Sequence, residues 1–154
     1  LQRETFRLSG VVAEAIAAVE PLRESKSQRI NLSVDDAAWA AVVSGEPEKI
    51  QSLVRNLLDN ASRYAPRGSD IDVSLSIADG ALTLTVTNPG KPIPAELRER
   101  VFEPYFRIAG TATEGSGLGL AIVREIARQH GAKLELTTMP DGQGTVIAVT
   151  FPGS

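Results

Sequence analysis

The segment at residues 46–87, EPEKIQSLVRNLLDNASRYAPRGSDIDVSLSIADGALTLTVT, combines one helix with one hairpin and thereby decides the fold class. Between Glu46 and Tyr64 the apolar side chains recur at helical spacing and form one stripe, which consists of Ile50, Leu53, Val54, Leu57, Leu58 and Ala61. Two alternating runs follow, Ile71–Ile77 and Ala81–Thr87, and the turn residues Asp79-Gly80 between them predict a β-hairpin. Because a hairpin is antiparallel, the segment is incompatible with a wholly parallel, doubly wound sheet.

The remaining elements are predicted by the same kinds of pattern. Further helices are predicted at Gly10–Glu20, with Ser9 as N-cap, at Ala95–Phe102, and at Leu118–His130, which Gly131 ends. Further strands are predicted at Arg29–Val34, Ala37–Val43, Lys133–Thr138 and Thr145–Phe151. The simplest architecture for this order is an α+β fold, an α/β sandwich with one layer of sheet and one of helices.

The composition excludes several classes of chemistry. The 154 residues suit a single domain spanning 1–154, and the net charge of −3 lacks the basic excess of a nucleic-acid-binding module. The absence of cysteine excludes thiolate chemistry, and the single histidine excludes an imidazole metal cluster. No apolar run approaches the roughly 18 residues of a membrane span. Since the chain begins at Leu1 and not at methionine, we expect a piece of a longer protein.

Three polar side chains lie beside the apolar stripe of the 46–64 helix. At helical spacing, Asn56, Asn60 and Arg63 fall within roughly 60° of one another. One interpretation is that they are boundary residues that bond to neighbouring loops. The other is that the amide oxygens bind a hard cation such as Mg²⁺ while the arginine binds phosphate.

A glycine-rich segment, GSGLGL at 115–120, leads directly into the predicted 118–130 helix. Glycines let backbone N–H groups approach an anion, and a helix N-terminus offers unpaired donors. The segment matches neither the P-loop nor the dinucleotide fingerprint, so a flexible hinge is the alternative interpretation. The stiff turn NPGKPIP at 88–94 and the aromatic segment FEPYFR at 102–107 are equally ambiguous when each is taken alone.

Taken in order, these motifs are far more specific than any one of them. Asn-Leu-Leu-Asp-Asn-Ala at 56–61, the 88–94 turn, the 102–107 segment, the 115–120 segment and Gly-Thr at 144–145 resemble the ATP-binding catalytic domain of bacterial sensor histidine kinases. They correspond to the N, G1, F and G2 boxes of that family and to its closing strand. The fold that this resemblance implies is shared with the gyrase, Hsp90 and MutL ATPases. It is a mixed, mostly antiparallel sheet packed on one side by three main helices, with a flexible ATP lid, here residues 108–116.

The resemblance also implies a function. ATP and Mg²⁺ would be the cofactors, and the γ-phosphoryl would pass to a histidine on an upstream dimerisation domain and then to a response regulator. Residues 1–10 would be the end of the linker from that domain. We expect the fragment to be monomeric and not membrane-embedded, within a homodimeric, inner-membrane protein whose catalytic domain is cytoplasmic. The phosphoacceptor would lie outside this chain, so the chain itself holds no catalytic nucleophile.

The resemblance assigns nucleotide contacts residue by residue. Asn60 matches the Mg²⁺ ligand, Arg63 and Arg107 match cations near the phosphates, and Tyr64 and Thr145 match residues beside the adenine. The full set of expected nucleotide-binding residues is Asn56, Asn60, Arg63, Tyr64, Asn88, Gly90, Ile93, Arg107, Gly115, Gly117, Leu118, Gly119, Leu120 and Thr145. In the related ATPases a glutamate that activates water stands where this chain has Asn56, which implies a site that holds ATP without hydrolysing it.

The chain departs from the family at Asn88, where most members have an aspartate that accepts a hydrogen bond from the adenine amino group. An asparagine keeps the acceptor oxygen without the charge, and an amide also donates, which suggests weaker discrimination between adenine and guanine. Pro92 likewise replaces a glycine. Two alternatives therefore remain open: a degenerate nucleotide-binding regulatory module, and an ATPase or anti-sigma-type serine kinase on the same fold. His130, followed by Gly131, is expected to be a structural residue at a helix end and not the phosphoacceptor.

Overall fold

The computed structural model describes residues 3–106 and 117–153, with the backbone alone for residues 21–25. The helices are α1 (Leu8–Ser25), α2 (Asp36–Trp39), α3 (Pro47–Tyr64) and α4 (Gly119–Gln129), and two 3-10 turns cover Ala95–Leu97 and Arg100–Phe102. The strands are β1 (Glu4–Arg7), β2 (Arg29–Val34), β3 (Val42–Gly45), β4 (Asp70–Ala78), β5 (Ala81–Pro89), β6 (Lys133–Thr138) and β7 (Gly144–Thr150).

Five of these strands form the main sheet, in the order β2-β4-β5-β7-β6. The β2–β4 pair is parallel, and the other three pairs are antiparallel. Strands β1 and β3 form a separate antiparallel pair in which Glu4 lies opposite Gly45 and Arg7 opposite Val42. The expected fold class, a mixed and mostly antiparallel sheet packed against helices, is therefore confirmed.

The core lies between the sheet and helices α1, α3 and α4. Alternate residues of β4 and β5 are buried, as a sheet with one covered face requires. The stripe of α3 predicted from sequence is buried throughout, from Ile50 to Ala61. Burying a leucine such as Leu53, which is 0% exposed, contributes about 2 kcal/mol. None of the helices in residues 3–106 and 117–153 is both long and apolar enough to cross a membrane.

The hairpin and the helix ends behave as the sequence predicts. Asp79 and Gly80 both have positive φ, 53° and 76°, which is the conformation of the tightest hairpin turns. Gly131 has φ 65° and ends α4, and Ala132 N donates to Ala127 O at 2.9 Å. Pro47 is the first residue of α3, where its missing N–H costs nothing.

The prediction of one strand over Ala37–Val43 is wrong. Residues 36–39 form the short helix α2, whose Ala38 is fully buried, and the strand β3 begins only at Val42. A short apolar run does not distinguish a buried helical turn from a strand, and Ala37 and Ala38 favour the helix.

Two further predictions about helices are corrected. The first helix begins at Leu8, directly after β1, so Ser9 lies inside it and is not an N-cap; its hydroxyl donates to Trp39 O at 2.9 Å. The expected helix at Ala95–Phe102 consists of the two separate 3-10 turns. A segment of eight residues is only marginally stable as an α-helix, and 3-10 turns are frequent in such short connections. Within the expected linker stretch, Glu4–Arg7 pairs with β3.

Candidate functional site

Two of the motifs meet where helix α4 begins. The side chain of Asn56 on α3 is half-buried, and its Nδ2 donates to Ser52 O at 2.8 Å. This bond leaves Oδ1 directed at Gly119, the first residue of α4: a Cβ on Gly119 would lie 3.2 Å from that oxygen. The structure therefore brings the polar edge of α3 against the glycine-rich segment, although 63 residue positions separate the two along the chain.

The glycine-rich segment also contacts the aromatic segment. Gly117 has φ 80°, and a Cβ there would lie 2.8 Å from Tyr105 Cα. Tyr105 N donates to Gly117 O at 2.8 Å, and Tyr105 itself has φ 64°. Only a glycine permits this close crossing of two backbones. Arg107, Gly115 and the expected lid at 108–116 lie outside the described residues.

A second group of predicted residues meets at the ends of β5 and β7. Asn88 and Thr145 face each other across these strands and are only 4% and 5% exposed. Asn88 Nδ2 donates to Pro89 O at 2.9 Å. Gly144 packs against the peptide group between Asn88 and Pro89, since a Cβ on Gly144 would overlap the main-chain oxygen of Asn88. A buried, hydrogen-bonded amide is thus held in one orientation at this end of the site.

The turn after β5 connects that end to α3. Gly90 has φ 128°, and a Cβ there would lie 2.7 Å from Tyr64 O, at the last residue of α3. Gly90 N donates to Gln143 O at 3.0 Å. Tyr64, Gly90 and Asn88 therefore lie in one region of the structure. Two other members of the expected set, Ile93 and Leu120, are core residues that are 6% and 8% exposed.

Arg63 forms an ion pair in this structure. Its guanidinium lies 2.8 Å from the carboxylate of Asp59, one helical turn earlier, and both side chains are partly exposed. Such a pair stabilises the folded chain by only about 0.5 kcal/mol. Arg63 can therefore exchange the carboxylate of Asp59 for a phosphate group at little cost in free energy.

The residues present fit a Mg²⁺-bound nucleotide. Within residues 3–106 and 117–153, no three carboxylate, histidine or cysteine side chains are clustered as in an all-protein metal site. Mg²⁺ commonly takes one or two protein oxygens together with phosphate oxygens and water, which suits the half-buried amide of Asn60. Gly119 is the first residue of the 11-residue helix α4 and lies close to Asn56, so the first N–H groups of that helix also lie near Asn56. Those groups favour an anion.

Sequence patterns did not indicate the contacts by which Gln28 and His130 hold the two ends of α3. Gln28 is 3% exposed, and its Nε2 lies 3.0 Å from Ser62 O and 3.1 Å from Ala65 O at the end of α3. His130 accepts a hydrogen bond from Glu46 N at 3.1 Å. The pairs Gln28–Ser62 and Glu46–His130 are 34 and 84 residues apart along the chain, and no local pattern indicates contacts over such separations.

Comparison with known proteins shows the family to which this chain belongs. Residues 45–154 match the family model described as histidine kinase-, DNA gyrase B-, and HSP90-like ATPase. The swarming motility regulation sensor protein RssA of Serratia marcescens is 34% identical over 100% of this chain. The sensor protein CutS of Streptomyces coelicolor is 34% identical over 99% of the chain, and the sensor histidine kinase CusS of Escherichia coli 31% identical over 98%. The chain spans 32%, 36% and 31% of these relatives, so each relative is about three times as long.

Solved structures are similar over almost the whole chain. The mycobacterial sensor histidine kinase MprB superimposes with a TM-score of 0.86 at 30% identity and covers 99% of this chain and 98% of its own. The catalytic domain of histidine kinase ThkA gives 0.85 at 25% identity, with 99% and 96% coverage. The chain therefore belongs to the histidine kinase-, DNA gyrase B- and HSP90-like ATPase family, and its fold and motifs are those of the ATP-binding catalytic domain of sensor histidine kinases.

Proposed function

We propose that this chain binds ATP together with Mg²⁺ and, within a longer protein, directs the γ-phosphoryl group to a histidine on a separate dimerisation domain. The observation that supports this most is the contact between Asn56 and Gly119, because it unites the N and G2 boxes at a helix N-terminus suited to phosphate. Asn88 and Thr145 lie buried at the other end, where adenine would bind.

Each predicted residue has a distinct role in this proposal. Asn60 would hold Mg²⁺ through its amide oxygen, while Arg63 and Arg107 would contact phosphate oxygens. Tyr64, Gly90, Ile93 and Thr145 would shape the adenine end, and Gly115, Gly117, Leu118, Gly119 and Leu120 the phosphate end. ATP would supply the transferred group, and Mg²⁺ would neutralise phosphate charge. The chain's own contribution is positioning and charge compensation, as phosphoryl transfer generally requires.

Asn56 distinguishes transfer to a protein from hydrolysis. A general base must accept a proton, and an amide oxygen is too weakly basic to do so. The Nδ2 of Asn56 is bonded to Ser52 O, which also fixes the amide orientation. We therefore propose that the site holds ATP until a protein acceptor arrives.

The setting of the domain follows from the same proposal. The acceptor histidine would lie on an upstream dimerisation domain joined to this domain ahead of strand β1, and the phosphoryl group would pass on to a response-regulator receiver domain. The longer protein would be a homodimer in the inner membrane with this domain in the cytoplasm, whereas the isolated chain would be monomeric. Nucleic acid is not among the proposed partners.

The test adds the upstream histidine-bearing domain and ATP to the purified chain in trans. We expect label from γ-³²P-ATP on the histidine of the added domain. Phosphate released to water would favour the ATPase alternative, label on serine the anti-sigma-type kinase, and no label with weak nucleotide binding the regulatory module.

A pair of variants makes the same experiment specific to the proposed site. Asn60→Ala should lower Mg²⁺-dependent labelling by at least about tenfold, as loss of a metal contact generally does. The matched control is Asn31→Ala, which removes an exposed amide that bonds Asp70 and Asp72 on the far edge of the sheet. Equal labelling by both variants would contradict the role of Asn60.

A further inference from the structure

The single histidine of this chain connects the end of α4 to the start of α3, and both helices contribute to the proposed nucleotide site. We propose that His130 is a positioning residue, which sets the place of the glycine-rich end of α4 relative to Asn56 on α3. The inference rests on the proposed nucleotide-binding function and adds a residue about one helix length from the site.

Both ring nitrogens of His130 have partners whose roles are fixed. Nε2 lies 3.1 Å from Glu46 N, a main-chain donor, and Nδ1 lies 2.8 Å from Ile126 O, a main-chain acceptor. Nδ1 therefore carries the proton, and Nε2 accepts. The side chain is only 4% exposed, so water does not replace either partner without local opening.

The ring also leaves no space around it on the α3 side. A Cβ on Gly45 would overlap His130 Cδ2 and would lie 2.6 Å from Nε2. Gly45 directly precedes Glu46, the N-cap residue of α3. The ring is thus packed against the start of α3 as well as hydrogen-bonded to it.

Helices α3 and α4 run antiparallel and touch at both ends of the pair. Glu46 meets His130 at one end, and Asn56 meets Gly119 at the other. The two spans match, since ten residues of α3 rise about 15 Å and eleven residues of α4 about 16 Å. A displacement at the His130 end is therefore transmitted along a rigid helix to Gly119, where the 3.2 Å approach to Asn56 leaves little tolerance.

Two amide substitutions separate the contacts of the ring, because glutamine reaches the position of Nε2 and asparagine only that of Nδ1. His130→Gln keeps an acceptor for Glu46 N and should bind ADP and a fluorescent ATP analogue as the unmodified chain does. His130→Asn keeps the bond to Ile126 O and loses the one to Glu46. We expect its nucleotide affinity to fall about fivefold, the equivalent of one hydrogen bond.

The matched control is Gln129→Ala. It removes the hydrogen bond from Lys49 Nζ to Gln129 Oε1, 3.1 Å long and solvent-exposed, from the same end of the same helix pair. Nucleotide affinity should not change. Gly45→Ala tests the inference without a substitution at position 130. Its added Cβ would displace the ring of His130, so this variant should weaken nucleotide binding as His130→Asn does.

Affinities are measured at 10 °C, after circular dichroism has shown that each variant is folded. Equal affinity of the His130→Gln and His130→Asn variants would overturn the inference, and so would a loss in Gln129→Ala as large as that in His130→Asn. If the His130→Asn variant does not fold, the Gly45→Ala variant takes its place in the comparison. Equal losses of nucleotide affinity in Gly45→Ala and Gln129→Ala would then overturn the inference. If the unmodified chain binds no nucleotide, the proposed function fails and this inference fails with it.

Discussion

At the scale of single residues, Asn88 shows how one hydrogen bond alters an expectation from sequence. The sequence suggests that an amide at this position weakens discrimination between adenine and guanine. In the structure Nδ2 donates to Pro89 O at 2.9 Å, which directs Oδ1 elsewhere as an acceptor. Recognition of a guanine carbonyl would require the amide to flip and to place Oδ1 against the Pro89 carbonyl, leaving two acceptors face to face.

We therefore predict that this chain prefers ADP to GDP by at least about tenfold, because an unpaired buried acceptor costs about 1–3 kcal/mol. The measurement is competition of each nucleotide against a fluorescent ATP analogue. Asn88→Asp, which presents acceptors alone, should keep the preference for ADP. GDP competing as well as ADP against the unmodified chain would show that the amide turns freely.

At the scale of elements, the end of α3 is fixed by the turn that precedes β2. The last carbonyls of a helix lack partners within it. Gln28 supplies Nε2 to Ser62 O and Ala65 O, and Ser62 Oγ donates to Gln28 Oε1 at 2.5 Å. Lys26 Nζ also donates to Ser62 O and, at 3.3 Å, to Arg63 O. The turn thereby supports the part of α3 that contains Arg63 and Tyr64.

The two side chains of this turn should contribute unequally to stability. Gln28→Leu leaves several buried polar atoms without partners, so we predict that the free energy of unfolding falls by about 2–3 kcal/mol. Lys26→Met should cost less than about 1 kcal/mol, because the partial burial of the ammonium offsets most of the gain from its hydrogen bonds to the carbonyl oxygens of α3. Partial burial, followed by the charges of Arg67 and Arg63, lowers the pKa of Lys26 and so opposes its charged form.

Urea denaturation of both variants provides the measurement. Asn31→Leu, on the exposed edge of the sheet, controls for the change of an amide to an apolar group. Unfolding of Gln28→Leu at the same midpoint as the unmodified chain would contradict this account of the helix end.

At the scale of the whole molecule, the chain combines the proposed nucleotide site with a single histidine that is not accessible as a phosphoacceptor. Its one histidine is 4% exposed and bonded through both ring nitrogens. We predict that the isolated chain binds ATP but takes up no label from γ-³²P-ATP. Acid-labile label on the isolated chain would contradict the prediction. Loss of that label in the His130→Gln variant would identify His130 as the acceptor, and its retention would identify another residue.

Much of the fold was predictable because its signals are local. The apolar stripe of α3 and the alternation of β4 and β5 are properties of consecutive residues, and both were predicted within one or two residues of their ends. Residues 37–43 were not, since a short apolar run has no period long enough to separate a buried helical turn from a strand. The N-cap at Ser9 was wrong because β1, which leads directly into α1, forms only by pairing with β3.

The sequence by itself determined the fold class and the family motifs, because periodicity and motif spacing lie in the order of the residues. The expected nucleotide contacts follow from the family resemblance that those motifs carry. Only the tertiary structure decided which of these residues meet. Asn56 approaches Gly119, Gln28 approaches Ser62, and His130 approaches Glu46 once sheet order and helix pairing are set. Side chains separated by 34 or 84 residues come within hydrogen-bond distance only when the whole core has packed, and no local pattern encodes that distance.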